Sequence, residues 1–223
     1  MKILAIDTAT ERCSVALRVD GNVIERAVDT ARGHADLILP MVEALLAEGG
    51  LALRQLDGLA FGRGPGGFTG VRIAVAVVQG LAFGADLLTM GVSDLAAVAQ
   101  QTARPGDRIL VCMDARMGEV YWATFECDRV TGLVAATEPE RVGAPGMVAP
   151  AVAGITVLAG TGLRAHPQIA TMFAGSSVYD NVLPRAREIA LLGEAELSAG
   201  RGLPAAQAQP VYVRDQVAVA KQM

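Results

Sequence analysis

The chain has 223 residues, enough for one large domain or two modest lobes. Apolar residues make up 52% of it, so a sizeable core is available, and 23 acidic against 19 basic residues leave a formal net charge of −4. The basic residues are scattered. This excludes the basic stripe of an ordinary nucleic-acid binder but leaves room for an RNA-related role inside a complex.

Mean hydropathy is high, at +0.39. The longest weakly polar stretch, Ile73 to Ala85, is shorter than the roughly 20 residues a bilayer span requires. Asp7 arrives too early for a signal-peptide core. These features point to a cytoplasmic protein, away from membranes, with much buried surface or an apolar face covered by a partner. Cys13, Cys112 and Cys127 form no C-x-x-C pair and are odd in number, which argues against a disulfide framework. His34 and His166 are far apart, so no His/Cys metal site is expected.

In chain order, "KILAIDTAT" reads as an apolar strand ending in a polar loop. "CSVALRV" and "VIERAVD" follow as strands, joined across Asp20-Gly21-Asn22, a hairpin signal. Residues 35–48 have helical period, with Ile38, Val42 and Leu45 on one line and Leu39, Met41 and Leu46 beside it. Pro40 either kinks this helix or sits in a late-starting first turn, and Gly49-Gly50 ends it. "LDGLAFGRG" is a short strand, a helix spans Phe68 to Phe83, and "LLTMGVS" is another strand. Ser93 is placed to cap a helix running to about Ala103.

The charged turn "ARPGDR", 103–108, is the best boundary, dividing the chain into residues 1–104 and 105–223. "RILVCMDA" restarts the strand pattern, and "EVYWATFEC" and "GLVAATE" continue it. Both halves thus begin with an apolar strand ending in Asp, a weak internal repeat that suggests two related lobes. Residues 143–154 resist assignment. "VLAGTG" is a strand entering a glycine turn, and "PRAREIALLGEAELSAG" is a helix with Pro184 near its start and Gly200 after it.

"GRGPGGFTGVRIAVAVVQG", residues 62–80, raises the question of a phosphate loop. It lacks the lysine of G-x-x-x-x-G-K-[ST]. The letters of G-x-G-x-x-G match from Gly62 to Gly67, but Pro65 removes a backbone N–H that cradling would use. A tight turn from strand to helix is the better reading. The helix that follows is apolar nearly all round. Val71, Val75, Val78 and Ala82 form one stripe, Ile73, Val77, Gly80 and Gly84 nearly the opposite one. One side can pack on the sheet; the other needs the 38–46 helix or another protein.

The strand–strand–strand–helix–strand–helix order, with "IDTAT" at the first strand end, resembles the actin-like ATPase and sugar kinase (ASKHA) superfamily: α/β, two-lobed, each lobe a mixed sheet with helices, the second lobe here reduced. "MKILAIDTATERCSVAL", "GRGPGGFTGVRIAVAVVQGLAFGA", "MDARMGEVYWA" and "QPVYVRDQVA" resemble the signatures of the bacterial TsaB (YeaZ) family. That resemblance implies a part in forming N6-threonylcarbamoyladenosine at position 37 of tRNAs reading codons that start with A. It implies a non-catalytic partner of the paralogue TsaD, which carries the metal and the transfer chemistry. It further implies association with the small ATPase TsaE, with TsaC supplying threonylcarbamoyl-adenylate. tRNA would be met only through the complex.

Three places bear on catalysis. In Asp7-Thr8-Ala9-Thr10, Ala9 stands where the superfamily's phosphate loop has glycine. In Asp114-Ala115-Arg116-Met117-Gly118, large side chains stand where a phosphate would sit. Asp94 and Val98 stand where TsaD-type relatives have a metal-binding histidine pair. No catalytic, cofactor-binding or metal residue is therefore expected. The alternatives are an ATP-dependent kinase for a small metabolite and a glycoprotease-like peptidase. For the latter, Cys13, Ser14 and Ser93 lack a recognisable triad with His34 or His166. Gly160-Thr161-Gly162 is either a residual adenosine-side turn or a plain strand-to-helix turn. The expected partner interface is Ile38, Leu39, Val42, Leu45 and Leu46 of the first long helix with Val71, Arg72, Val75 and Val78 of the second, meeting TsaD or, without it, a second copy of the chain.

Overall fold

The computed structural model describes residues 1–214. The stretch 215–218 that closes the last family-like motif lies outside the described residues.

β1 (Lys2–Asp7), β2 (Arg12–Val19) and β3 (Asn22–Asp29) form an antiparallel meander. Its second turn uses Asp20 and Gly21, both at positive φ, as a two-residue hairpin with right-handed twist requires. α1 (His34–Glu48) contains Pro40 on its exposed side; the helix starts six residues earlier, so Pro40 is interior. β4 (Gly58–Gly62) and β5 (Thr89–Val92) add parallel strands beside β1, giving the order β3-β2-β1-β4-β5. α2 (Phe68–Ala85) connects them, and α3 (Asp94–Thr102) follows, its Ser93 Oγ accepting from the Ala96 N–H at 3.1 Å.

The second half repeats this plan. β6 (Arg108–Arg116), β7 (Glu119–Cys127) and β8 (Val134–Ala136) form an antiparallel meander, and β10 (Val157–Ala159) and β11 (Ser177–Tyr179) add parallel strands beside β6. β9 (Arg141–Gly143) pairs β7. The sheet order β8-β7-β6-β10-β11 is the first sheet's order over again. The crossover helices α4 (Gly162–Ala165) and α5 (Gln168–Thr171) are single turns, which is the reduction expected of the second lobe.

Packing ties the two sheets together. α1 and α2 cover the outer face of the first sheet through Leu4, Ile6, Val15, Leu17, Leu59 and Phe61. α6 (Ala186–Ser198) lies on its inner face, where Ala5, Ala16 and Ala60 are small. A Cβ on Gly193 of α6 would stand 2.6 Å from the Ala60 Cβ, so glycine permits this approach. α3 packs against α6 and against the second sheet. The sequence boundary at 104/105 thus separates the sheets, while α3 and α6 each cover the sheet of the other half.

By length and composition α2 passes as a membrane-crossing helix, but Val71, Ala74, Val75, Val78 and Ala82 seat it on the sheet.

Candidate functional site

A cavity of about 910 Å³ opens between the lobes at the carboxyl ends of β1 and β6. Thr8–Glu11, Arg32–Asp36, Pro65–Val71, Asp114–Arg116, Thr161 and Val211–Arg214 line it.

The loop after β1 is closed on itself. The Ala9 N–H donates to Asp7 Oδ1 at 2.8 Å, and the Ala9 carbonyl accepts from the Gly67 N–H at 2.7 Å. Thr8 Oγ1 donates to the Gly70 carbonyl at 2.7 Å. A Cβ on Gly66 would lie 2.5 Å from the Ala9 carbonyl oxygen, and one on Gly70 would overlap the Thr8 carbonyl. The glycines of the 62–80 stretch therefore serve close approach of the α2 start to the β1 loop, with the backbone donor of Gly67 spent on that contact.

Beneath this loop two carboxyl groups meet. Asp7 and Asp94 are both fully buried. Their Oδ1 atoms each lie 2.6 Å from the point where a Gly62 Cβ would stand. Burial raises the carboxyl of Asp7 to about 6. Burial, then the charge of Asp7, raises Asp94 well above the ordinary carboxylate range. The sequence marks each residue singly; their meeting depends on α3 starting where β1 ends. Val98, one turn on, is buried in the inter-sheet core.

Across the cleft, Arg116, Met117 and Gly118 take consecutive positive φ values at the β6–β7 turn. Arg116 lines the cavity, held to Asp114 by its own N–H at 2.8 Å and by Nη1 at 3.1 Å. Met117 is 84% exposed and points to solvent, so the expected occlusion rests on Arg116 alone. Gly160-Thr161-Gly162 is a strand-to-helix turn packed on the Cys112 carbonyl, and Thr161 Oγ1 accepts from the Asp114 N–H at 3.2 Å.

The peptidase candidates are committed elsewhere. Cys13 is buried, with its thiol pushed up to about 11 by desolvation. Ser14 Oγ accepts from the Ala186 N–H at 2.9 Å, Ser93 caps α3, and the His34 Nε2 contact is the Thr10 carbonyl at 3.0 Å. Among the described residues, no cluster of three or more His, Cys, Asp or Glu could hold a metal.

The interface reading needs correction by residue. Ile38, Val42, Leu45, Val71, Val75 and Val78 lie in the chain's own core beneath α1 and α2. The stripe of Val71, Val75, Val78 and Ala82 faces the sheet; on the opposite stripe Ile73 and Val77 are half-buried and Gly80 and Gly84 are exposed. Arg72 and Leu39 are exposed and Leu46 is half-buried. The outward face of α2 carries Arg72, Ala76, Gly80, Phe83 and Gly84, with Phe83 85% exposed.

A tail missed as a structural element runs back along α2. Gln79 Nε2 donates to the Ala208 carbonyl at 2.8 Å, and the Val211 N–H donates to the Arg63 carbonyl at 2.7 Å. Arg72 stacks on Phe68 and donates to Tyr212 Oη at 2.6 Å. Arg214 then crosses to the second lobe and pairs with Glu119. The aromatic and arginine content of "VYVR" is the signal that marks it.

Duplicated meanders extended by parallel strands, with a cleft at the ends of β1 and β6, define a two-lobed protein of the ASKHA type. The sequence profile of the TsaD family, tRNA N6-adenosine threonylcarbamoyltransferase, matches residues 27–218. The tRNA threonylcarbamoyladenosine biosynthesis protein TsaB of Escherichia coli K12 is 42% identical, the match covering 98% of this chain and 96% of that protein. The TsaB protein of Haemophilus influenzae is 36% identical over 97% and 95% of the two chains. The solved structure of YeaZ from Pseudomonas aeruginosa superposes with a TM-score of 0.86 at 41% identity, covering 95% of this chain and 99% of that one. Another, described as an uncharacterized protein with similarity to peptidase YEAZ from Pseudomonas aeruginosa, has a TM-score of 0.88 at 40% identity over 96% and 99% of the chains. The chain belongs to the TsaB (YeaZ) family.

Proposed function

We propose that this chain is a non-catalytic subunit of the complex that forms N6-threonylcarbamoyladenosine in tRNA, acting in the cytoplasm. It binds and supports a TsaD-type catalytic subunit, together with a TsaE-type ATPase, and meets tRNA through that complex. Full-length likeness to TsaB proteins supports the pathway. The observation that carries the partner role is the outward face of α2, where Ala76, Gly80 and Gly84 leave a shallow track beside Phe83. Small residues let a second helix approach closely, and an exposed Phe beside them supplies apolar area to bury. The same face serves a second copy when TsaD is absent, with about 1,500 Å² buried in a two-fold dimer.

The non-catalytic part rests on the β1 loop, whose Ala9 N–H and carbonyl are already bonded within the chain. A phosphate-binding loop keeps such donors free.

The test uses Ala76→Glu and Gly80→Glu, both on exposed positions, Gly80 with open space where its side chain would begin. Both variants should fold, run as monomers in light scattering and fail to co-purify with the TsaD-type subunit. Retained assembly would move the interface elsewhere. The wild-type protein alone should not turn over ATP with magnesium. Hydrolysis that survives further purification would favour the kinase alternative.

A further inference from the structure

The Asp7–Asp94 contact lies apart from the cavity lining and from the α2 face. Each carboxyl has one oxygen bound to a backbone donor: Asp7 Oδ1 accepts from Ala9, and Asp94 Oδ2 accepts from the Gly64 N–H at 2.6 Å. The Asp94 N–H returns a bond to the Gly64 carbonyl at 3.0 Å. The other two oxygens, Asp7 Oδ2 and Asp94 Oδ1, are buried without a hydrogen-bond partner. Two carboxylates in contact inside a protein repel and leave acceptors facing acceptors. Both carboxyls flank Gly62, since a Cβ there would stand 2.6 Å from an oxygen of each.

We propose that one proton, carried by Asp94 and donated to Asp7, holds the β1 loop, the Gly62–Gly64 segment and the start of α3 together, and that folding is linked to this proton. Protonation turns Asp94 from acceptor to donor and leaves a single negative charge on Asp7. That charge is met by the Ala9 N–H. His34 faces it from α1, Arg12 from β2 in ion pair with Asp29, and Cys13 beside it is a neutral thiol. From the other side Asp94 faces Glu140, which Arg63 holds at 3.0 Å. The negative charge of Glu140 works in the same direction as burial and keeps the proton on Asp94. The lock also sets the cleft floor, because Thr8 and Ala9 carry the contacts to Gly67 and Gly70 at the α2 start.

The sign of the linkage is fixed. The folded chain holds a proton that an unfolded aspartate gives up near pH ~4, so the folded state binds more protons above that point. Stability is greatest at the acid end of this window and falls as pH rises, until Asp94 titrates in the folded state. Asp94→Asn keeps the geometry: its Oδ1 accepts from Gly64 and its amide donates to Asp7, without a proton to lose.

Denaturant unfolding of wild type and Asp94→Asn across about pH 6.5–8, where Asp7 is ionised, reads this directly. The folding constant of wild type relative to the variant should fall with rising pH, by up to about tenfold per unit. A ratio independent of pH would overturn the proposal. Infrared spectroscopy of the wild type gives a second readout that does not depend on the variant folding. A protonated-carboxyl band should persist at neutral pH, and its absence would overturn the proposal equally.

Discussion

Gly66, Gly70 and Gly80 belong to one glycine-rich run, yet they stand in different surroundings. Side chains at the first two would collide with the backbone of Thr8 and Ala9, whereas the third has nothing within 4 Å. Gly70→Ala should therefore destabilise the chain by about 2 kcal/mol or more, through overpacking against a backbone that cannot yield. Gly80→Ala should raise stability by up to about 1 kcal/mol, as for any glycine removed from an exposed helix interior. Urea unfolding midpoints at constant m would separate the two; equal effects would refute this reading of the glycines. The sequence alone reaches the turn at Gly64–Gly67, because Pro65 and the absent lysine argue against a phosphate cradle. It does not reach the reason for the glycines, since that lies in a strand end some sixty residues earlier in the chain. Asp7 and Asp94 are the same case. Each is conspicuous by type, but their contact is a property of the β1–β4–β5 sheet order.

At the scale of elements, α2 shows what helical period can and cannot tell. Both apolar stripes are plain in the sequence, but period does not say which one meets the sheet. Val75 and Val78 pack with Leu59 and Phe61, while on the opposite stripe Ile73 and Val77 are half-buried and Gly80 and Gly84, which have no side chain to fill a core, are left exposed. The tail from Ala208 to Arg214 follows the flank of the same helix and reaches both lobes. Beyond Ala208, which is buried and bonded by Gln79, its hold is a backbone bond at Val211, the Arg72–Tyr212 contact and the Arg214–Glu119 pair, each exposed or half-exposed. Such contacts contribute little to global stability. Tyr212→Ala should then leave the unfolding midpoint nearly unchanged, within about 1 kcal/mol. Hydrogen exchange at the Val211 N–H should rise clearly, because Arg72 loses one of its two aromatic partners. Unchanged protection there would mean the strap is held by the backbone alone.

For the whole molecule, the duplication is legible because strand period and the terminal Asp recur in both halves. The exchange of helices is not, because α3 and α6 each carry an apolar stripe that would suit either sheet. What decides it is side-chain size on the inner face of the first sheet. Ala5, Ala16 and Ala60 admit a helix at close range, and Gly193 on α6 matches them. α3 instead packs Leu95, Val98 and Ala99 into the core shared with the second sheet. Cutting the chain at the 104/105 turn would therefore strip both sheets of the helix that covers them. The fragment 1–104 would lose α6 and expose the inner face of its sheet, while keeping an α3 with no second sheet to cover. The fragment 105–223 would lose α3 and carry α6 without its sheet. Neither alone should show a cooperative thermal transition, and mixing the two should restore one, since every lost contact is regained between fragments without a covalent link. Circular dichroism melts of each fragment and of the equimolar mixture make the comparison. A sharp, independent transition in either fragment would show that the half-chain is a self-sufficient folding unit, and that the helix exchange follows folding without being required for it.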